Sequence, residues 1–74
     1  MIVESVELLS VVALLADIPN ENLTRGQVGT VVERLAPDVV EVEFTDLNGR
    51  TYALLPVKSD NLLLLRHQPC SRAA

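Results

Sequence analysis

The sequence predicts an all-β fold, and three observations carry that prediction. β-Branched residues follow Gly26 and Gly29, apolar and acidic residues alternate over 40–44, and Asn48 and Gly49 come soon afterwards. Valine and threonine suit a pleated surface, a period of two is typical of a half-buried strand, and Asn-Gly favours a hairpin turn. The strongest local signals therefore indicate strands joined by turns.

Length and composition indicate one domain with one modest core. The 74 residues are 49% hydrophobic, but Phe44 and Tyr52 are the only aromatic residues, so aliphatic side chains must fill the interior. Ten acidic and six basic residues give a net charge of -4, which repels polyanions on average. The single cysteine, Cys70, excludes an intramolecular disulfide. The acidic N-terminus does not resemble a signal peptide and no apolar run is long enough to span a bilayer, so we expect a cytoplasmic protein without membrane contact.

The first part of the chain predicts one strand followed by a long loop. Residues 2–9 leave two alternatives open, a short helical turn or an irregular lead-in. The apolar run at 11–15 predicts a buried first strand. Residues 17–26 are rich in turn formers and predict a surface loop, with Ile18 and Leu23 packed onto the core.

The second strand is predicted at 28–35, after a tight turn at Gly26. Gly29 marks a kink or a crowded packing point, because glycine permits close backbone approach. A turn at 36–38 then leads into the alternating third strand. The inward set of that strand is Val40, Val42 and Phe44, and its outward set is Glu41 and Glu43.

The hairpin turn at 46–49 predicts a return strand at 51–57. Pro56 indicates an edge or terminating position for this strand. A tight turn at 58–60 and a last short strand at 61–65 follow. The loop register leaves two inward sets open for the return strand, either Tyr52 and Leu54, or Ala53, Leu55 and Val57.

Five short strands, a long loop after the first strand and two tight hairpins together predict a five-stranded SH3-like barrel. We assign this single domain to residues 1–65. Residues 66–74 lack apolar periodicity and are predicted to form a disordered tail.

Six short segments carry a family resemblance. They are VVAL at 11–14, LTRG at 23–26, GTVVE at 29–33, VEF with Asp46 at 42–46, GRT at 49–51 and DNLL at 60–63. Together they resemble a family of small bacterial proteins known as domain of unknown function 4926, over about residues 9–65. The resemblance implies an SH3-like barrel and brings no established activity, so it assigns no functional residue. A weaker similarity, at Gly26, Gly29 and Val31, is to the KOW motif of ribosomal and transcription-elongation proteins.

No constellation in the sequence predicts catalysis, a metal or a cofactor. His67 and Cys70 are spaced like two metal ligands, but a structural zinc site needs four and the sequence has no other Cys or His. The segment 46–49 lacks the spaced acids of a calcium loop, and the paired glycines lack the lysine and helix of a phosphate cradle. We therefore expect a protein that is not an enzyme.

Two surfaces are candidates for binding. Glu33, Glu41 and Glu43 are predicted to share an outer face, which is either a solvated surface or a docking face for a basic partner. The second candidate is the long loop, with the contact residues Asp17, Asn20, Glu21 and Arg25.

These features favour a small interaction module that docks a protein partner. It would act as an antitoxin-like neutraliser of a basic protein or as an accessory subunit. The alternative is a KOW-like accessory protein associated with RNA or the ribosome. The acidic charge and the shortage of stacking aromatic residues disfavour nucleic acid as the partner.

Overall fold

The computed structural model describes residues 6–66 and residue 69, which form a single five-stranded antiparallel sheet. The strands are β1 (Val11–Leu14), β2 (Val28–Ala36), β3 (Val39–Thr45), β4 (Thr51–Lys58) and β5 (Leu62–Leu64). Two short 3₁₀ turns lie at Pro19–Glu21 and Ser59–Asn61. The strand order is β4-β3-β2-β1-β5, so the sheet is open, with β4 and β5 at its edges. The all-β prediction with five strands is confirmed, and the described residues contain no α-helix.

Each strand begins and ends at the predicted residue or one residue away from it. Ala36 belongs to β2 and pairs with Val39, whereas the sequence placed it in the following turn. The pairing shortens that turn to Pro37 and Asp38. Most of the predicted tail, including His67 and Cys70, lies outside the described residues.

The core lies on one face of the curled sheet and is aliphatic apart from one ring. The inward set predicted for β3 is confirmed, because Val40, Val42 and Phe44 have no exposed surface. Leu23 is buried and Ile18 is partly buried against the same cluster, as predicted. The other buried members are Val6, Val12, Leu14, Val31, Val57 and Leu62.

The pairing of β3 with β4 decides which residues of the return strand face inward. Phe44 pairs with Ala53 and Thr45 pairs with Thr51, so Tyr52 is an extra residue in a bulge. The inward set is therefore the second of the two alternatives, Ala53, Leu55 and Val57. The ring of Tyr52 lies 6.3 Å from that of Phe44, centroid to centroid, at an exposed position.

Strand β2 packs closely against β3 at Gly29, and two residues are inserted in its pairing with β3. A Cβ atom at Gly29 would lie 2.6 Å from Val42 Cγ1 and 2.9 Å from the backbone oxygen of Glu43. The crowded packing point predicted at this glycine is confirmed. Val32 and Leu35 are the inserted residues, and such bulges increase local twist and bend the strand.

The lead-in before β1 is irregular over its described part. The Leu9 amide donates to the Val31 carbonyl at 2.7 Å, and the Val31 amide donates to the Ser10 carbonyl at 2.9 Å. Leu9 adopts a φ of 68°, which interrupts regular pairing. Arg34 holds the same segment in place, since its guanidinium donates to the carbonyl oxygens of Val6 and Pro37.

Candidate partner-docking face

The acidic face consists of Glu33, Glu41 and Glu43 on the side of the sheet opposite the core. Glu33 on β2 pairs directly with Glu41 on β3. Glu43 pairs with Thr30 on one side and with Leu54 on the other. The alternation of β3 turns Glu41 and Glu43 away from the buried Val40, Val42 and Phe44. Glu33 lies on the same side because Val32 is inserted in the β2–β3 pairing, which reverses the alternation after the buried Val31.

The three carboxylates differ in their surroundings. Glu33 is exposed, whereas Glu41 and Glu43 are partly covered by neighbouring strands. Glu43 Oε2 accepts a hydrogen bond from Thr51 Oγ1 at 2.5 Å, which fixes its position. Glu41 has Pro56 as its partner on β4.

No lysine or arginine within the described residues forms an ion pair with the acidic face. Arg34 is close along the chain, but its guanidinium is engaged by the carbonyls of Val6 and Pro37. Uncompensated carboxylates on a solvated sheet attract cations and steer basic molecules. Among residues 6–66 and 69, no three His, Cys, Asp or Glu side chains are grouped to hold a metal ion.

The candidate contact loop lies between β1 and β2 and is held by its own hydrogen bonds. Asp17 Oδ1 accepts from the Arg25 amide at 2.8 Å. Asn20 and Glu21 lie on the exposed 3₁₀ turn. The loop also contains a shallow, open depression of about 390 Å³, lined by Asp17, Pro19, Asn22, Leu23 and Thr24. The structure thus brings Asp17 and Arg25 together and leaves Asn20 and Glu21 outside the depression.

Of the predicted turn residues Gly26, Gly29, Asn48 and Gly49, Gly29 lies within β2 and the other three lie in turns. Gly26 has a φ of 93° and Gly49 a φ of 83°, values that L-residues rarely adopt. Asn48 lies in the hairpin turn without a positive φ, so only the glycine takes the left-handed conformation. Asp46 organises the turn, since its Oδ1 accepts from the amides of Asn48 at 2.8 Å and Arg50 at 3.0 Å.

Sequence reasoning missed an apolar row on the same side of the sheet as the acidic face. The row consists of Leu63, Ala13 and Val28, which are direct partners across β5, β1 and β2. Leu63 is 50% exposed and Val28 is 47% exposed. The uninterrupted leucines at 62–65 were the available signal, because a strand without alternation presents apolar side chains on both faces.

The described residues include no helix long and apolar enough to cross a membrane.

Comparison with known proteins gives a family and no function. No curated protein matches the chain, and no solved structure does. The family model described as domain of unknown function (DUF4926) matches residues 8–64. That span covers both edges of the sheet, the acidic face and the candidate contact loop. The chain therefore belongs to the DUF4926 family.

Proposed function

We propose that this protein is a non-enzymatic interaction module that docks a basic protein partner on its acidic face. The observation that carries the proposal is the direct pairing of Glu33 with Glu41, without a counter-charge from the described residues. Like charges placed opposite each other destabilise a sheet, whereas a cationic partner would convert the repulsion into attraction. An antitoxin-like neutraliser or an accessory subunit would use the face in this way.

The fold suits this role if the sheet is a partly open SH3-like barrel, which we also propose. The strand order β4-β3-β2-β1-β5 and the two bulges in β2 support a barrel in which β2 contributes to both halves. β2 pairs with β1 through Val28–Thr30 and with β3 from Thr30 to Ala36. A curled sheet of this kind is a rigid support for the acidic side chains, which reduces the conformational entropy lost on binding.

The test is capture of a partner from the native host, followed by binding kinetics across a salt series. The variant carries Glu41→Lys and Glu43→Lys. A matched control carries Asp38→Lys and Asp60→Lys, which make the same charge change at exposed positions outside the acidic face and the candidate contact loop. We expect the first variant to lower the association rate about tenfold at low salt, and the control to lower it much less, because steering depends on where the charge lies.

Equal effects of the two variants would contradict the assignment of the acidic face. Capture of RNA in place of a protein, with affinity lost on neutralising Arg25 and Arg50, would favour the KOW-like alternative.

A further inference from the structure

The apolar row and the acidic face form one continuous surface. Val11 pairs with Thr30, Thr30 with Glu43, and Glu43 with Leu54, so these residues form a middle row across four strands. The apolar row of Leu63, Ala13 and Val28 lies on one side of this middle row. The pair of Glu33 and Glu41 lies on the other side. The outer face, which is the side of the sheet opposite the core, thus changes from apolar to acidic along the strand direction.

The edges of the sheet are poorly suited to adding a strand from a partner. The Ser59 amide donates to the Asp38 carbonyl. Backbone groups along an antiparallel strand point alternately toward and away from the neighbouring strand, so the amide and carbonyl groups of residues 54, 56 and 58 point away from β3, toward the outer edge of β4. Pro56 has no amide hydrogen at the middle of that edge. At the opposite edge, β5 has only three residues. Short edge strands and edge prolines both discourage strand pairing.

From this arrangement we propose that the occupant of the outer face is an amphipathic helix of a protein partner. Its apolar stripe would pack on the apolar row, and lysine or arginine residues beside that stripe would reach Glu41 and Glu43. This inference rests on the proposed function and adds the chemistry of the partner. The contacts are made by side chains, since neither edge offers a good strand template.

The dimensions of the outer face agree with a helix. Successive rows on one face of a strand are about 7 Å apart, so the apolar row and the row of Glu33 and Glu41 are separated by about 14 Å. A helix with its side chains is about 10–12 Å wide, so one that lies along the middle row touches both. Five strands span about 19 Å, which a helix of about 18 residues, ~27 Å long, would cross.

Two synthetic peptides of about 18 residues test the proposal with the full chain. The first arranges leucine and lysine so that a helix has one apolar stripe beside a row of lysines. The second has the same composition in an order that spreads both residues around the helix. Fluorescence anisotropy gives the affinities. We expect the first peptide to bind about tenfold more tightly, because only it buries leucines on the apolar row while pairing its lysines.

Variants then separate the two parts of the surface. Leu63→Gln with Val28→Thr should reduce the preference for the first peptide to less than about threefold, with little change in the salt dependence of binding. Leu47→Gln is the control, because Leu47 is fully exposed in the hairpin turn outside the outer face. Circular dichroism checks that each variant is folded.

The possible outcomes distinguish this inference from the proposed function. Equal affinities for the two peptides, or a preference that survives Leu63→Gln with Val28→Thr, would overturn the amphipathic helix and leave docking on the acidic face standing. Tighter binding of an extended peptide of alternating lysine and valine would overturn it in favour of strand addition. Binding of neither peptide would also overturn it, whereas the proposed function is decided by partner capture and the lysine variants at Glu41 and Glu43.

Discussion

Glu33 on β2 and Glu41 on β3 are direct cross-strand partners, and no cation within the described residues pairs with either. Two like charges at such a position cost stability in the isolated protein. The described bases do not relieve the repulsion, because Arg34 donates to the backbone of Val6 and Pro37. The basic partner proposed for this surface would relieve the repulsion.

Removing one charge from this pair should stabilise the free protein. We expect Glu33→Gln to raise the free energy of unfolding by about 0.2–1 kcal/mol at low salt, with a smaller gain at high salt because ions screen the repulsion. Urea denaturation at two salt concentrations measures both effects. Glu21→Gln is the control at an exposed position of the loop. A Glu33→Gln variant that is no more stable than the wild type would contradict this account of the pair.

Adding a methyl group at Gly29 should destabilise the sheet by overpacking. The new Cβ would lie 2.6 Å from Val42 Cγ1 and 3.0 Å from Phe44 Cδ2, so we expect Gly29→Ala to cost about 1–3 kcal/mol. Val42→Ala opens space beside residue 29, so Gly29→Ala should reduce the free energy of unfolding by less in a Val42→Ala protein than in the wild type. Gly26→Ala is the control, because a Cβ there meets nothing within 4 Å and its cost comes from the positive φ. A thermodynamic cycle measures the coupling, and strict additivity at Gly29 and Val42 would reject the steric explanation.

Arg34 should contribute to stability through its hydrogen bonds to backbone. Arg34→Met keeps an apolar stem but leaves the carbonyls of Val6 and Pro37 without their donor, so we expect a loss of about 1–2 kcal/mol. Arg50→Met is the matched control, because the Arg50 side chain forms no hydrogen bond within the described part of the chain. In Arg34→Met the amides of Leu9 and Val31 should also exchange hydrogen faster, because their hydrogen bonds depend on the lead-in segment that Arg34 holds in place. Equal stability of the two variants would show that Arg34 does not hold the lead-in.

Gly49 should tolerate asparagine better than valine. Its φ of 83° is accessible to glycine and tolerable for asparagine, whereas a β-branched residue is strained there. We expect Gly49→Val to lose at least about 1–2 kcal/mol and Gly49→Asn to lose less. Thermal unfolding followed by circular dichroism ranks the three proteins. A Gly49→Val variant as stable as the wild type would contradict the left-handed conformation of residue 49.

The sequence could predict those elements in which local chemistry and packing agree. The alternation at 40–44 assigned both faces of β3, and the glycine at the end of the hairpin turn takes the expected positive φ. The outward positions of Glu41 and Glu43 follow from the same alternation, whereas Glu33 faces outward because Val32 is inserted in the pairing after the buried Val31. Family membership was also accessible from short segments spread along the chain.

What the sequence could not predict depends on tertiary pairing. The inward set of β4 follows from the bulge at Tyr52, and a single inserted residue exchanges the two faces of a strand. The role of Arg34 requires Val6, 28 residues away, to lie beside β2. The apolar row arises only when β5, β1 and β2 are adjacent, because Leu63, Ala13 and Val28 are far apart in the sequence.

The bridge between Ile18 and Leu23 separates the tip of the long loop from the rest of the protein. The two residues exchange backbone hydrogen bonds of 2.9 and 3.1 Å, and only residues 19–22 lie beyond them. Loop-closure entropy grows slowly with length, so doubling the tip costs only about 0.6 kcal/mol. The tip is therefore a natural place for related proteins to gain or lose residues, and for foreign peptides to be displayed, without disturbing the acidic face or the apolar row.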